Sequence, residues 1–293
     1  DFNQDYAFFA TEELLAMKKR PDAIFTISDR MAIGAMQAIK KKGLDMPHDI
    51  GLVGFNDEPI LSLVSPTISS VEQPSFELGK ITAKLFIDAM HNNGDMNDVE
   101  KVLKPKLYVR EAAKPGDTVL LKNGSWQDID IELTCNGNAR QPIVFKAQTN
   151  GQVIIKGKSS LRLGGSYIIV EGLLFTDGFA SDGSAWEFRK GKQRGNNCRI
   201  TNCMIKSFNN TNRKDENYWV ALYGKNNRID HCKFIDKTNL GVLMAVVLDD
   251  DQSRLNDHSI DSNYFGIRKP LGSNGGEMIR VGVSQHCTFY SNT

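Results

Sequence analysis

No run of about 18 apolar residues occurs in the chain, which excludes a membrane-spanning helix. The opening residues carry neither a basic stretch nor an apolar core, so no secretory signal peptide is expected among them. Cysteine is sparse: Cys135, Cys198, Cys203, Cys232 and Cys287 are odd in number, and none forms a Cys-x-x-Cys pair. Neither a zinc site nor a disulfide framework is expected at these spacings. The residues read instead as small buried hydrophobes. Net charge is small, +1 at pH 7. It divides into a slight acidic excess up to about residue 113 and a slight basic excess after it, which would suit an acidic ligand or an ordinary solvated surface equally. The later part also lacks any sustained helical periodicity.

What that later part has is a repeat. A glycine or asparagine turn, an alternating strand and a polar turn recur at Gly165-Ser166-Tyr167-Ile168-Ile169-Val170-Glu171-Gly172 and at Asn197-Cys198-Arg199-Ile200-Thr201-Asn202-Cys203. They return at Asn227-Arg228-Ile229-Asp230-His231-Cys232 and at Asp257-His258-Ser259-Ile260-Asp261-Ser262-Asn263. Aligning Ile168, Ile200, Ile229 and Ile260 gives a period of about 30 residues, the mark of a solenoid. Strands this short bury a face only by stacking on their neighbours. The expected fold of residues 113–293 is a right-handed parallel β-helix, all-β, with Cys198, Cys203 and Cys232 on successive coils.

Residues 1–112 alternate instead. Phe8 to Lys19 has helical spacing, Ala23 to Ile27 reads as a short buried strand, and Met31 to Lys42 as a helix capped by Ser28 or Asp29 and stopped by Gly43. Ile50 to Phe55 is a second strand, Phe76 to His91 a long amphipathic helix, and Val102 to Arg110 a closing strand. Alternating strands and helices specify an α/β, doubly wound sheet, whose ligands bind at the carboxyl ends of its strands. Asp29, Asn56 and Asp57 fall at such ends, and Asp29 also reads as a plain helix cap.

Ser28-Asp29-Arg30-Met31-Ala32-Ile33-Gly34-Ala35-Met36, Asp49-Ile50-Gly51-Leu52-Val53-Gly54-Phe55-Asn56-Asp57 and Pro66-Thr67-Ile68-Ser69-Ser70-Val71-Glu72-Gln73-Pro74 resemble lac-repressor-family transcription regulators. The resemblance implies a truncated, periplasmic-binding-protein-like fragment, the last part of an effector-binding core. Asp29, Phe55 and Asp57 would then face a small sugar effector. The family's DNA-binding domain and first lobe have no counterpart in these residues, so a sugar-responsive regulator is the weaker reading.

Lys114-Pro115-Gly116-Asp117-Thr118-Val119-Leu120-Leu121-Lys122-Asn123-Gly124-Ser125-Trp126, Pro142-Ile143-Val144-Phe145-Lys146-Ala147, Asn263-Tyr264-Phe265-Gly266-Ile267-Arg268 and Asn274-Gly275-Gly276-Glu277-Met278-Ile279-Arg280 resemble family 6 polysaccharide lyases, the alginate lyase and chondroitinase B group. Such enzymes cleave acidic polysaccharides by β-elimination at a uronate, with a bound calcium ion as Lewis acid and a lysine as base. The resemblance makes Asn274 and Glu277 metal ligands and sets Arg268 and Arg280 against the anionic sugar. Taken alone, Asn274-Gly275-Gly276 reads as a tight turn and Glu277 with Arg280 as a solvated strand pair. The family's Glu-x-Glu, Ser-Asn-Lys and Leu-Arg-His-Gly segments, with the catalytic lysine and arginine, are expected beyond Thr293, which makes a lyase inactive as this chain, or a non-catalytic glycan-binding module. Lys237 reads as a solvated turn lysine rather than a substitute base, and Asp249-Asp250-Asp251 as a solvated loop.

Only Ala112-Ala113 separates the two resemblances, which reads as a chimera of neighbouring genes. The lyase half implies a periplasmic or secreted protein and the regulator half a cytoplasmic one. Missing end coils would expose strand edges and core, so poor solubility is expected.

Overall fold

A computed structural model describes residues 3–91, 103, 105–110, 115–180, 182–247, 255–266, 278–281 and 287–293. The first part opens with helix α1 (Gln4–Ala16), strand β1 (Ala23–Phe25), helix α2 (Asp29–Lys41) and strand β2 (Gly51–Phe55). Strand β3 (Ser69–Glu72), helix α3 (Ser75–His91) and strand β4 (Lys106–Val109) follow. The Ser28 hydroxyl caps α2 by accepting from Met31 N at 3.4 Å, and Gly43 ends it at φ +70, a conformation that costs glycine little. Ala32, Ala35 and Ile39 of α2 bury against Leu52 of β2. The β1 segment is not buried as expected: Ile24 is inside, but Phe25 and Ile27 are more than half exposed.

Helix α3 departs further from its pattern. None of its residues is buried, and Phe76 and Met90 are 82% and 69% exposed. A helix with such apolar side chains normally gains its stability from a packed face. The isolated chain is therefore expected to self-associate above micromolar concentration. A light-scattering mass that stays monomeric on concentration would contradict this.

From residue 118 the chain coils. Each turn gives one strand to each of three parallel sheets. The first turns are β5 (Thr118–Leu121), β6 (Gly124–Gln127), β7 (Asp130–Leu133), then β8 (Ile143–Ala147), β9 (Val153–Lys158), β10 (Ser160–Leu163). Next come β11 (Ile168–Glu171), β12 (Leu173–Phe179) and β13 (Trp186–Glu187), with a hairpin of β14 (Arg189–Lys190) and β15 (Gln193–Arg194). The later turns are β16 (Arg199–Thr201), β17 (Met204–Lys206), β18 (Val220–Leu222), then β19 (Arg228–Asp230), β20 (Lys233–Ile235), β21 (Met244–Val246). Strands β22 (His258–Asp261), β23 (Tyr264–Phe265), β24 (Ile279–Val281) and β25 (Cys287–Tyr290) complete the described coils. This is a parallel β-helix.

The repeat is legible because its corners need left-handed residues. Asn197, Asn226 and Asp257 lie at φ +55, +54 and +50 before the seven-stranded sheet. Asn202, His231 and Ser262 lie at φ +53, +53 and +57 after it. Short polar side chains tolerate this region better than bulky ones. Inside, Ile168, Ile200, Ile229 and Ile260 are all buried, and Phe175 sits edge-on to Trp186 with centroids 5.8 Å apart.

The two parts share a strand. β4 pairs antiparallel with β3 on one side and parallel with β7 on the other, so a ten-stranded sheet runs from β1 through to β24. Val109 is buried in the solenoid core, and Leu107 packs on it. β4 thus belongs to both architectures.

Candidate functional site

Two of the three effector residues expected in the first part, Asp29 and Asp57, meet at one hydroxyl, that of Ser70. Asp29 is fully buried, and its carboxylate accepts from Glu58 N at 2.5 Å and from Ser70 Oγ at 3.0 Å. A Cβ at Gly54 would lie 2.3 Å from that carboxylate, so glycine is required there. Asp57 N donates to the same Ser70 Oγ at 3.1 Å, and Arg110 Nη2 lies 2.7 Å from Asp57 Oδ1. Burial raises the Asp57 carboxyl pKa, against the lowering effect of Arg110. A cleft of about 950 Å³ opens beside Asp57, lined also by Glu58, Glu72 and Lys106 and by Asp130 and Lys158 of the first coils. Phe55 does not line it; its ring packs edge-on against Phe25 at 6.4 Å. Asp29 thus bonds inside the fold, and the helix cap is Ser28 rather than Asp29.

On the solenoid, one outward row of the long sheet runs Glu132, Arg162, Glu187, Ala221, Ala245, Arg280, in register from strand to strand. Most of it is internally paired. Lys190 pairs with Glu132, and Arg162 Nη1 donates to Ser184 O at 2.5 Å and lies 3.6 Å from Glu187. Arg189 holds Glu187 at 2.9 Å and lies 4.0 Å over the Tyr223 ring. Arg280, at the far end, is exposed. Arg268, Asn274 and Glu277 lie outside the described residues, as does Asp249-Asp250-Asp251. Among the described residues no three metal-ligating carboxylate, histidine or cysteine side chains cluster.

The seven-stranded sheet carries an ion ladder that sequence reasoning missed. Arg199 grips Asp230 with both Nε, at 2.8 Å, and Nη2. Arg228 grips Asp261 one coil on, at 2.8 Å through both nitrogens, and lies 3.7 Å from Asp230. His231 Nδ1 is 2.9 Å from Asp230. Burial pushes the Asp230 pKa up, but the Arg199 and His231 hydrogen bonds outweigh it and hold it below the usual carboxylate range. The Arg228 hydrogen bond does the same for Asp261. The signal was there in arginines one residue before Ile200 and Ile229, a position that faces outward on every coil.

Two inner columns link the coils through side chains. Asn227 accepts from Cys198 N at 2.9 Å, and His258 Nδ1 accepts from Asn227 N at 3.1 Å. In the second column Asn263 accepts from Cys232 N at 2.9 Å, and Asn292 from Asn263 N at 3.0 Å. Cys135, Cys198, Cys203 and Cys232 are buried free thiols, whereas Cys287 is only half-buried; Cys198 and Cys203 lie on one coil and Cys232 on the next, rather than on three successive coils, and burial pushes the Cys198 pKa up to about 12. Burial lowers the His258 pKa to about 4. A depressed histidine stabilises the fold above its unfolded pKa, and that stability is lost as the unfolded chain takes up a proton. Between about pH 6.5 and 4 this amounts to roughly 3 kcal/mol. The urea midpoint is expected to fall on going from about pH 7.5 to 5, and to fall much less in His258→Asn, whose amide keeps the acceptor. An equal fall in both proteins would contradict the assignment.

Lys237 is not the solvated lysine its turn implies. It is 1% exposed, and its Nζ donates to Asn217 Oδ1, Asn239 O and Leu240 O at 3.3, 3.2 and 3.1 Å.

Residues 103–293 match the family model described as chondroitinase B, well over half of the chain. The chain belongs to the chondroitinase B family. This chondroitinase B-family match begins at residue 103 and so includes β4, while residues 2–112 match the periplasmic binding protein-like domain. Both matches overlap on the shared strand. The solved structure of AlyGC, a PL6 family alginate lyase, is 44% identical with a TM-score of 0.57, over 58% of this chain and 24% of that one. A mannuronic acid specific family 6 lyase from human gut microbiota is 35% identical, TM-score 0.55, over 60% of this chain and 43% of that one. The first part is of the lac-repressor type. It is 33% identical to the ribose operon repressor of Haemophilus influenzae over 38% of this chain and 33% of that protein. It is 35% identical to a lactose operon repressor of Rhizobium radiobacter over 35% of this chain and 89% of that protein. The chain therefore spans about a third of the ribose repressor and a quarter of AlyGC. No described helix is long and apolar enough to cross a membrane.

Proposed function

We propose that the solenoid of this polysaccharide lyase-type chain binds a uronate-containing acidic polysaccharide, alginate in the first place, and that these 293 residues hold it without cutting it. The observation that carries the reading is Arg280, exposed on β24 at the end of the outward row. A guanidinium so placed grips a carboxylate with two hydrogen bonds. The resemblance to family 6 lyases sets Arg268 against the anionic sugar as a second cation. Two lyase structures similar to this solenoid, an alginate lyase and a mannuronic acid specific enzyme, support alginate over a glycosaminoglycan.

Calcium is proposed as the cofactor. Asn274 and Glu277 would supply an amide and a carboxylate oxygen, the hard donors calcium prefers. Calcium, when bound, neutralises the uronate carboxylate and makes the C5 proton more acidic. Neither Glu-x-Glu nor Ser-Asn-Lys occurs in the sequence, which supports retention without elimination. A periplasmic or secreted location accords with such a substrate. The repressor-type part is proposed as a joined fragment of an effector-binding core, and its ribose and lactose operon repressor relatives support a small sugar as the effector.

The test mixes the chain with alginate and with dermatan sulfate, with and without calcium. Retention on immobilised alginate is expected, weaker in a chelator, with no growth of the ultraviolet absorbance of an unsaturated product. Steady product formation would overturn the claim of inactivity. Absence of retention on either polymer would overturn the binding claim.

A further inference from the structure

The two connections that lead from the six-stranded sheet to the long sheet in successive coils, residues 207–219 and 236–243, lie on one another. Asn209 Nδ2 donates to Asp236 O at 2.9 Å, and its Oδ1 accepts from Thr238 N at 2.8 Å. Asn239 Nδ2 donates to Asn212 O at 2.9 Å, and Asn217 N donates to Leu240 O at 3.2 Å. The contact is close enough that a Cβ at Gly241 would lie 2.5 Å from Asn217 O. Lys237 Nζ sits within this network, donating to one oxygen of the first connection and two of the second. An ammonium has three N–H groups on a tetrahedral nitrogen, so it meets three converging oxygens with one donor each. Removing it takes the ammonium donor from Asn217 Oδ1 and Asn239 O and leaves Leu240 O with Asn217 N alone, a cost that grows where water is excluded.

The second connection runs directly into β21. That strand pairs with β24, setting Ala245 beside Arg280, and Met244 N donates to Met278 O at 2.9 Å. The position of residues 236–243 therefore sets the edge on which Arg280 is carried. We infer that Lys237 is a positioning residue for the glycan face: its buried ammonium ties two stacked connections into one wall that fixes the β21–β24 edge and so the reach of Arg280. This rests on the reading of Arg280 as the group that meets the uronate.

The experiment uses the full chain and Lys237→Ala, which leaves a space shaped like n-propylammonium. The amides of Asn217, Thr238 and Leu240 are followed by hydrogen exchange, and binding is followed on immobilised alginate. In Lys237→Ala the exchange of these amides is expected to quicken at least tenfold and alginate retention to weaken at least fivefold. Millimolar n-propylammonium restores both, while propanol and sodium chloride at equal concentration restore neither. Asn217→Ala, which removes one acceptor of Lys237 together with the Nδ2 donor to Asn210 Oδ1, gives the same two losses at smaller size. Unchanged exchange in Lys237→Ala, or quickened exchange that only propanol restores, would overturn the tie. Quickened exchange with full retention would overturn the positioning role. A wild-type chain that alginate does not retain would instead overturn the function proposed above, and the exchange and rescue measurements would then decide the tie alone.

Discussion

Val109→Asp is expected to abolish cooperative unfolding of the first coils, at a cost of about 3–5 kcal/mol. Val109 is buried in the solenoid core, and its strand is hydrogen-bonded on both edges. An aspartate there places a carboxylate among Ile131, Leu133 and their neighbours with nothing to pair it. The damage should travel both ways, because β4 also closes the repressor-type sheet through Tyr108 to Glu72 and Arg110 N to Ser69 Oγ, at 2.7 and 3.0 Å. Hydrogen exchange at β7 and β3 is the measurement. Protection lost in both strands is the expected result; loss in β3 alone would show that the solenoid does not depend on the strand. Val109→Ala removes only apolar area and should cost about 2 kcal/mol. The same reasoning makes residue 113 a poor starting point for an isolated solenoid and residue 103 a better one.

The second large effect is expected at Asp230. Its carboxylate is fully buried under Arg199, Arg228 and His231, which are a third or more exposed. Asp230→Asn leaves those cations facing a neutral amide. Breaking a buried pair costs roughly 3–5 kcal/mol, and solvent at the arginines reduces this to about 2–3 kcal/mol. In a solenoid of this size that is a drop of roughly 5–10 °C in Tm. Arg199→Ala should cost less, because Arg228 and His231 remain beside Asp230. Asp230 and Asp261 both have depressed pKa values. Their stabilisation is fully present above the unfolded aspartate pKa of about 3.9 and is lost as pH falls through the lower folded values. Acid unfolding of the wild type below about pH 4 should therefore be steeper than that of Asp230→Asn. Superimposable acid limbs would remove the ladder as a source of stability.

Much of the architecture was legible beforehand, for a local reason. An alternating strand of three or four residues with a left-handed corner at each end writes itself into adjacent positions, as at Asn197 to Asn202 and at Asn226 to His231. The same holds for Ser28 and Gly43 at the two ends of α2. Helix α3 shows the limit. Its sequence states an apolar face but not whether anything lies against it, and nothing described does.

The sequence by itself determined that a doubly wound segment precedes a stacked coil, and which motifs accompany each, because periodicity and corner residues are properties of neighbours in the chain. Only the tertiary structure decided that β4 serves both parts, that Asp29 is spent on Glu58 and Ser70, and that Lys237 is enclosed. Those outcomes depend on groups brought together by the register of the fold: Asp29 meets groups 29 and 41 residues away, and Lys237 meets Asn217, 20 residues away, beside its near neighbours Asn239 and Leu240. Whether a charged side chain meets water or a ring of oxygens is settled by that register, which no stretch of adjacent residues contains.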